Sequence, residues 1–238
     1  MPNHIMNLIT LNGDEKVIEE LRKQLKQNDS EPGSLDFQKI IPMPESLNIE
    51  AGTKTDFGMK LYLIAEALAI PQEQYAESGD KIRAVLRHTD YMAVSRVDDK
   101  TLEEDLKIGK IAVENIKKYG ASDWYDWCIE NWGTKWNGYD SEVCEDNQFK
   151  FCTAWSAPHP ILKKLSELYP EITITHQWAD EDYGFNLGHR EYLNGEMTYE
   201  RELDEGTMYA KKYACDLFGC QYVLYEQEEV ETEEQMLC

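Results

Sequence analysis

Between Phe149 and Trp178 the hydrophobic period switches from two to that of a helix and back again. Phe149, Phe151, Thr153 and Trp155 alternate. Ile161, Leu162, Leu165 and Leu168 then follow one face of a helix running from Pro158 to Tyr169, and Ile172, Ile174, His176 and Trp178 alternate once more. Neither an all-helical nor an all-strand architecture accommodates that order, so the stretch predicts a strand, a helix and a second strand.

The N-terminal region carries a related pattern. Residues 4–11 read as a strand, Asn12-Gly13 breaks it, and Asp14 opens a helix whose apolar face is Val17, Ile18, Leu21 and Leu25. Phe37 to Ile41 reads as a second strand ended by Pro42-Met43-Pro44. From Phe57 to Trp132 the pattern is helical, with Leu102, Leu106, Val113 and Ile116 on one helix that stops at Gly120, and with Trp124, Trp127, Cys128 and Trp132 forming a stripe expected to pack as core. Asn194-Gly195 separates two further strand segments and predicts a hairpin, and a last helix is expected over about Gly206 to Phe218. Two strand-helix-strand units around a helical insertion predict an α+β fold of ferredoxin-like type, an antiparallel sheet with helices on one face. The expected organisation is residues 1–56 plus 133–225 as the α+β domain, 57–132 as the insertion, and 226–238 as a flexible tail with six glutamates and no basic residue.

Charge is distributed unevenly. The net charge is -22, and residues 140–238 hold 22 acids against 7 bases. Such a balance disfavours contact with phosphate backbones, which requires clustered Lys and Arg, so no direct nucleic-acid binding is expected. Two readings stay open: a solvated acidic surface, and a surface that attracts a basic partner by imitating DNA. No apolar run reaches the roughly 20 residues that span a bilayer, and no secretory leader pattern opens the chain, so a cytoplasmic protein without membrane contact is expected.

Little in the sequence spells out a reaction. The six cysteines have irregular spacings without zinc-type pairs and are expected to be reduced thiols, with Cys238 the exposed one. The five histidines show no pairing that would place two of them on one metal, and the run Asp180, Glu181, Asp182 lacks the alternating ligand pattern of a calcium loop. No nucleophile elbow, phosphate loop or dinucleotide fingerprint is present. No metal, cofactor or catalytic residue is therefore expected, although an acid–base pair dispersed along the chain stays open.

Several segments carry a family resemblance, and two of the stretches, residues 132–137 and 179–186, follow neither period. Met-Pro-Asn-His at the N-terminus, Ile40-Ile41-Pro42-Met43-Pro44-Glu45-Ser46-Leu47, Asn131-Trp132-Gly133-Thr134-Lys135-Trp136-Asn137, Thr153-Ala154-Trp155-Ser156-Ala157-Pro158-His159-Pro160 and residues 179–188 together resemble the YubB ferredoxin-like (Api-type) family of phage and plasmid proteins. The resemblance runs in order from residue 1 to about 190. It implies a ferredoxin-like fold without an iron–sulfur cluster and a gene carried on mobile elements, and it brings no established activity.

Two functional expectations follow. The first is a non-enzymatic phage or plasmid accessory protein that binds and inhibits a host defence factor, a basic or nucleic-acid-handling protein. Its acidic surface would include Asp180, Glu181, Asp182, Glu200, Glu202, Asp204 and Glu205. The alternative is a binding or sequestering protein for a nucleotide-like small ligand, or a hydrolase, using a pocket lined by Trp132, Lys135, Trp136, Asn137 and Trp155. In the latter, the lysine would face an anion and an indole would stack on a base; a purely structural role for Gly133 and its flanking tryptophans, as a helix stop packed on the sheet, is the competing reading.

Overall fold

The computed structural model describes residues 2–27 and 34–220. Strand β1 (His4–Asn12) leads into α1 (Glu15–Leu25), whose N-terminus is capped by the Asp14 carboxylate accepting from the backbone N–H groups of Lys16 and Val17. Helices α2 (Thr53–Ala67), α3 (Gly79–Thr89), α4 (Leu102–Tyr119) and α5 (Trp124–Trp132) follow. The chain then returns to the sheet with β2 (Gln148–Ala154), α6 (His159–Leu168), β3 (Thr173–Asp180), β4 (Gly188–Leu193) and β5 (Glu196–Glu202), and closes with α7 (Met208–Phe218).

The five strands are ordered β2-β1-β3-β4-β5, and every neighbouring pair is antiparallel. β1 lies between β2 and β3, so α6 crosses over β1 to join two strands that run parallel to each other. Ile9 is the pivot of that arrangement, opposite Phe149 on one side and His176 on the other. The β4–β5 hairpin turns at Asn194 and Gly195, both at positive φ (51° and 78°), the backbone that a two-residue turn with the sheet's own twist requires.

Two layers form on the sheet. On one face Ile9, Leu11, Phe149, Phe151, Ile172 and Ile174 pack against Ile18, Leu21 and Leu25 of α1, Ile161, Leu162 and Leu165 of α6, and Trp127, Cys128 and Trp132 of α5. The tryptophan stripe thus belongs to the core. The opposite face is covered as well, by α7, whose Ala210, Ala214 and Leu217 meet Met6, Cys152, Ala179 and Leu187. The expectation of helices on one face holds for α1, α5 and α6 but not for α7, because Met6, Cys152 and Ala179 make the second face apolar at its centre too.

Helices α2, α3 and α4 gather around their own cluster, which includes Phe57, Leu61, Tyr62, Ile82, Leu86, Leu102 and Leu106. α2 and α4 cross at backbone contact: a Cβ added at Gly109 would lie 2.0 Å from the carbonyl oxygen of Gly58. Only glycine at both positions permits that approach.

Two sequence expectations are corrected. Phe37 to Ile41 is a 3-10 turn over Phe37–Lys39, not a strand. Asp36 accepts from the Gln38 N–H, the N–H of Phe37 bonds to Asn137 Oδ1 at 2.9 Å, and those of Lys39 and Ile40 bond back to Asp36 and Phe37, so no donors remain for a ladder. Among the thiols, Cys215 and Cys220 form a disulfide across the C-terminus of α7, while Cys128, Cys144 and Cys152 are free. Cys238 and the tail at 226–238 lie outside the described residues. Among the described residues no helix is long and apolar enough to cross a membrane.

Candidate functional site

The C-terminal ends of β2 and β3 and the N-terminal end of β1 meet at one end of the sheet, and the segment leaving α5 is drawn to the same place. α5 stops at Gly133, in the left-handed conformation at φ 79°. Buried Thr134 then donates its hydroxyl to the carbonyl of Ala154 at 2.8 Å and accepts from the Ala154 N–H, while Ser156 Oγ donates to the Gly133 carbonyl. These bonds fasten residues 133–134 to the end of β2, so the next residues stand beside Trp155. Trp155 itself is held at φ 68°, a conformation rare for a bulky residue, by an N–H bond to the Asn3 carbonyl and by the Asn186 amide donating to its own carbonyl at 3.1 Å.

The result is a lysine ringed by aromatics. Lys135 Nζ lies 4.5 Å from the centroid of the Trp136 ring, 4.8 Å from that of Trp155 and 5.4 Å from that of Tyr125. No carboxylate among the described residues pairs with it. Of the five residues expected to line a pocket, Lys135, Trp136 and Trp155 are brought together. Trp132 and Asn137 are not: Trp132 is buried, donates its indole N–H to the Ile41 carbonyl and meets Phe37 edge-on, and Asn137 bonds to the backbone of Phe37 and Gly138 and to Asp36. Both are structural. Tyr125 is the addition; lying off the stripe of Trp124, Trp127, Cys128 and Trp132, it is the α5 aromatic that the core leaves outside.

The acidic residues divide. Asp180 is buried, and its carboxylate accepts from Asn3 Nδ2 (3.1 Å), from the Asp182 N–H (2.8 Å) and from Asn186 Nδ2 (3.4 Å), so it is not part of an exposed acidic surface. Three donors converging on it account for its withdrawal. Glu181, Asp182, Asp204 and Glu205 are exposed at the same end of the sheet as Lys135. Asn186 links the groups: its N–H donates to Glu205 Oε1 at 2.8 Å and its side chain to Trp155, while the Gly206 N–H donates to the Gly184 carbonyl. Glu200 and Glu202 lie apart, along β5, and Glu200 is ion-paired with Arg190. Among the described residues no three His, Cys, Asp or Glu side chains gather as metal ligands. The large apolar side chains at the acidic end are exposed: Trp136 39%, Trp155 42%, Tyr183 36% and Phe185 43%.

A buried polar network runs beneath this end. Asn7 donates to Thr153 Oγ1 (2.9 Å) and to the Ile5 carbonyl, which leaves its Oδ1 to accept from His176 Nε2 at 3.0 Å. Among the described residues His176 Nδ1 has no hydrogen-bond partner, and the ring stacks on Trp178. His159 packs edge-on to Trp178 and bonds to the Tyr192 hydroxyl. Burial, with the Arg190 guanidinium nearby, pushes the His159 pKa down to about 3; burial first, then His159 and Arg190, holds His176 well below the ordinary histidine range. Both rings are neutral near pH 7 and serve as packing and hydrogen-bonding groups.

A groove of about 970 Å³ lies at the far end of the sheet, between Leu11, Ile18, Arg22 and Glu145. Arg22 is engaged there with the carbonyls of Glu145 and Gln148.

Residues 131–235 match a family model described as a ferredoxin-like domain in Api92-like protein. The crystal structure of protein api92 from Yersinia pseudotuberculosis aligns over 87% of this chain and 100% of its own, at 12% identity and a TM-score of 0.37. No curated protein matches the chain. β1, the strand between β2 and β3, lies outside the matched residues, so the matched stretch supplies the sheet without one of its inner members. Over residues 131–235 the chain is similar to the ferredoxin-like domain of Api92-like proteins, which supports the Api-type kinship expected from its motifs.

Proposed function

We propose that the protein is a non-enzymatic binding protein that recognises a basic partner protein through the aromatic and acidic end of its sheet. The observation that carries this reading is that exposed Trp136, Trp155, Tyr183 and Phe185 share one end of the sheet with exposed Glu181, Asp182, Asp204 and Glu205, where Asn186 bonds to both Glu205 and Trp155. Large aromatic anchors supply contact area at interfaces, and surrounding charges select partners of opposite sign and speed encounter. The resemblance to phage and plasmid proteins supports a host factor as that partner, a defence protein that handles nucleic acid and is inhibited when the acidic surface occupies its basic one, in the host cytosol.

Affinity capture from host lysate with the intact chain tests it. The expected captured protein is basic, its affinity falls as salt rises, and reversing Glu181, Asp182, Asp204 and Glu205 to lysine weakens it by about tenfold or more, as does Trp155→Ala. Capture that is insensitive both to salt and to these substitutions would overturn the reading.

A second reading is favoured by one observation, the Lys135 ammonium held over three rings without a carboxylate partner among the described residues. A nucleotide-like ligand could stack on Trp136 or Trp155 with its phosphate on Lys135. Fluorescence titration with a nucleotide panel distinguishes the two, since a flat response retires the ligand reading and leaves the first untouched.

A further inference from the structure

The two edges of the sheet are not alike. At the β2 edge the chain covers itself: Tyr139 and Cys152 exchange both backbone hydrogen bonds, at 3.0 and 2.7 Å, and the Glu142 N–H donates to the Lys150 carbonyl. At the other edge β5 is the outermost strand among the described residues, and all of its residues are exposed. Its outer row of N–H and C=O groups is the kind of edge that proteins usually blunt with proline, a bulge, charged side chains or a covering loop, and β5 relies on charge. β5 contains no proline. Its one irregularity falls near its start, where the pairing shifts between Glu191–Tyr199 and Tyr192–Met197, leaving Tyr199 to Glu202 in regular register.

From this edge we infer that β5 receives an extended basic segment of the partner protein as an additional strand of the sheet, a proposal that rests on the basic partner argued above. The charges on β5 select the occupant. A second copy of the chain meets repulsion in the registers centred on Glu200 and Arg201: antiparallel pairing about Glu200 sets Glu200 against Glu200, and pairing about Arg201 sets Glu200 against Glu202 and Arg201 against Arg201, like charges directly opposite each other. A strand with Lys or Arg at alternate positions suits the same edge. Glu200 and Glu202 share one side of β5, opposite Arg190 and Gly188 of β4; Glu202 has no ion pair among the described residues, and the strand runs on toward exposed Asp204 and Glu205. On the other side Tyr199 stands exposed and its ring meets His189 edge-on, a contact suited to a β-branched residue of the incoming strand. Main-chain hydrogen bonds would supply affinity and the alternating carboxylates specificity.

The probe is a short peptide alternating lysine and valine, titrated into the full chain at low salt, alongside two versions methylated on the backbone nitrogens of the lysines or of the valines, and a glutamate–valine counterpart. The unmethylated basic peptide is expected to bind and to slow amide exchange within residues 199–202. One of the two methylated versions should bind about tenfold more weakly or worse, Glu202→Lys should weaken binding comparably, and the acidic peptide should not bind. Equal binding by all three basic peptides, or unchanged exchange in β5, would overturn strand addition, because the attraction would then be charge alone. Failure here is separable from failure of the functional reading. A captured partner that tolerates Glu200→Lys and Glu202→Lys but not reversal at the sheet end removes only the edge proposal. A peptide that adds to β5 when no basic protein is ever captured removes only the functional reading.

Discussion

Truncating Phe151 to alanine is expected to lower the unfolding free energy by about 4 kcal/mol, a large part of what a domain of this kind has in hand. Phe151 is fully buried in the middle of β2, opposite Asn7 of β1, and its ring meets that of Phe37 edge-on at 5.8 Å. Gly138 passes so close that a Cβ there would lie 2.8 Å from the Phe151 ring, so the backbone at Gly138 rests directly on it. Sheet strands on one side and well-tied turns on the other leave little room to collapse into the cavity, which puts the cost toward the high end of such truncations. Denaturant unfolding checks the prediction: the midpoint should drop while the slope stays constant, and a loss below about 1 kcal/mol would contradict the packing described. The change should also reach the site. Asn137 bonds to Phe37 and Asp36, so loosening the Phe151–Phe37 contact frees the segment that aims Trp136, and the tryptophan emission of the folded variant should shift.

What the sequence disclosed follows from how local each determinant is. β2, α6 and β3 were legible because their apolar residues repeat at the period of the element and each is bounded by Pro158 or by a break near Tyr169. The β4–β5 turn was legible because Asn194-Gly195 suits positive φ at both positions. The Phe37 turn was not: what prevents a strand there is Asn137, one hundred residues later, accepting from the Phe37 N–H. The second apolar face was missed for a similar reason, since Met6, Cys152 and Ala179 come from three strands and form a patch only once the register is known. At the candidate site, the glycine stop and the neighbouring lysine and tryptophans pointed to the right segment. Whether a given side chain turns outward, as in Trp136, or inward, as in Trp132 and Asp180, was decided by partners such as the Ile41 carbonyl and Asn3, which no local pattern encodes.

Acid should destabilise the fold between about pH 7 and pH 5 through two histidines. His159 and His176 are neutral in the folded chain, with pKa values depressed chiefly by burial, whereas in the unfolded chain each binds a proton near its ordinary value of about 6.5. Below that pH the unfolded state holds more protons, so unfolding becomes progressively easier as pH falls toward the folded-state values. With the His159 value at about 3, that residue alone accounts for a loss of about 2 kcal/mol by about pH 5. His176 adds to it in the same direction, since a proton on Nδ1 would have no acceptor among the described residues. A carboxylate whose pKa is lowered, such as Asp90 bonded to Lys60, loses its contribution only at lower pH. The measurement is the unfolding free energy between about pH 7 and pH 5. A flat profile would show that the two imidazoles are not buried neutral as described. In His159→Gln the slope should fall by the share of one histidine, while histidine ring resonances of the parent protein should show two rings that do not titrate across this range.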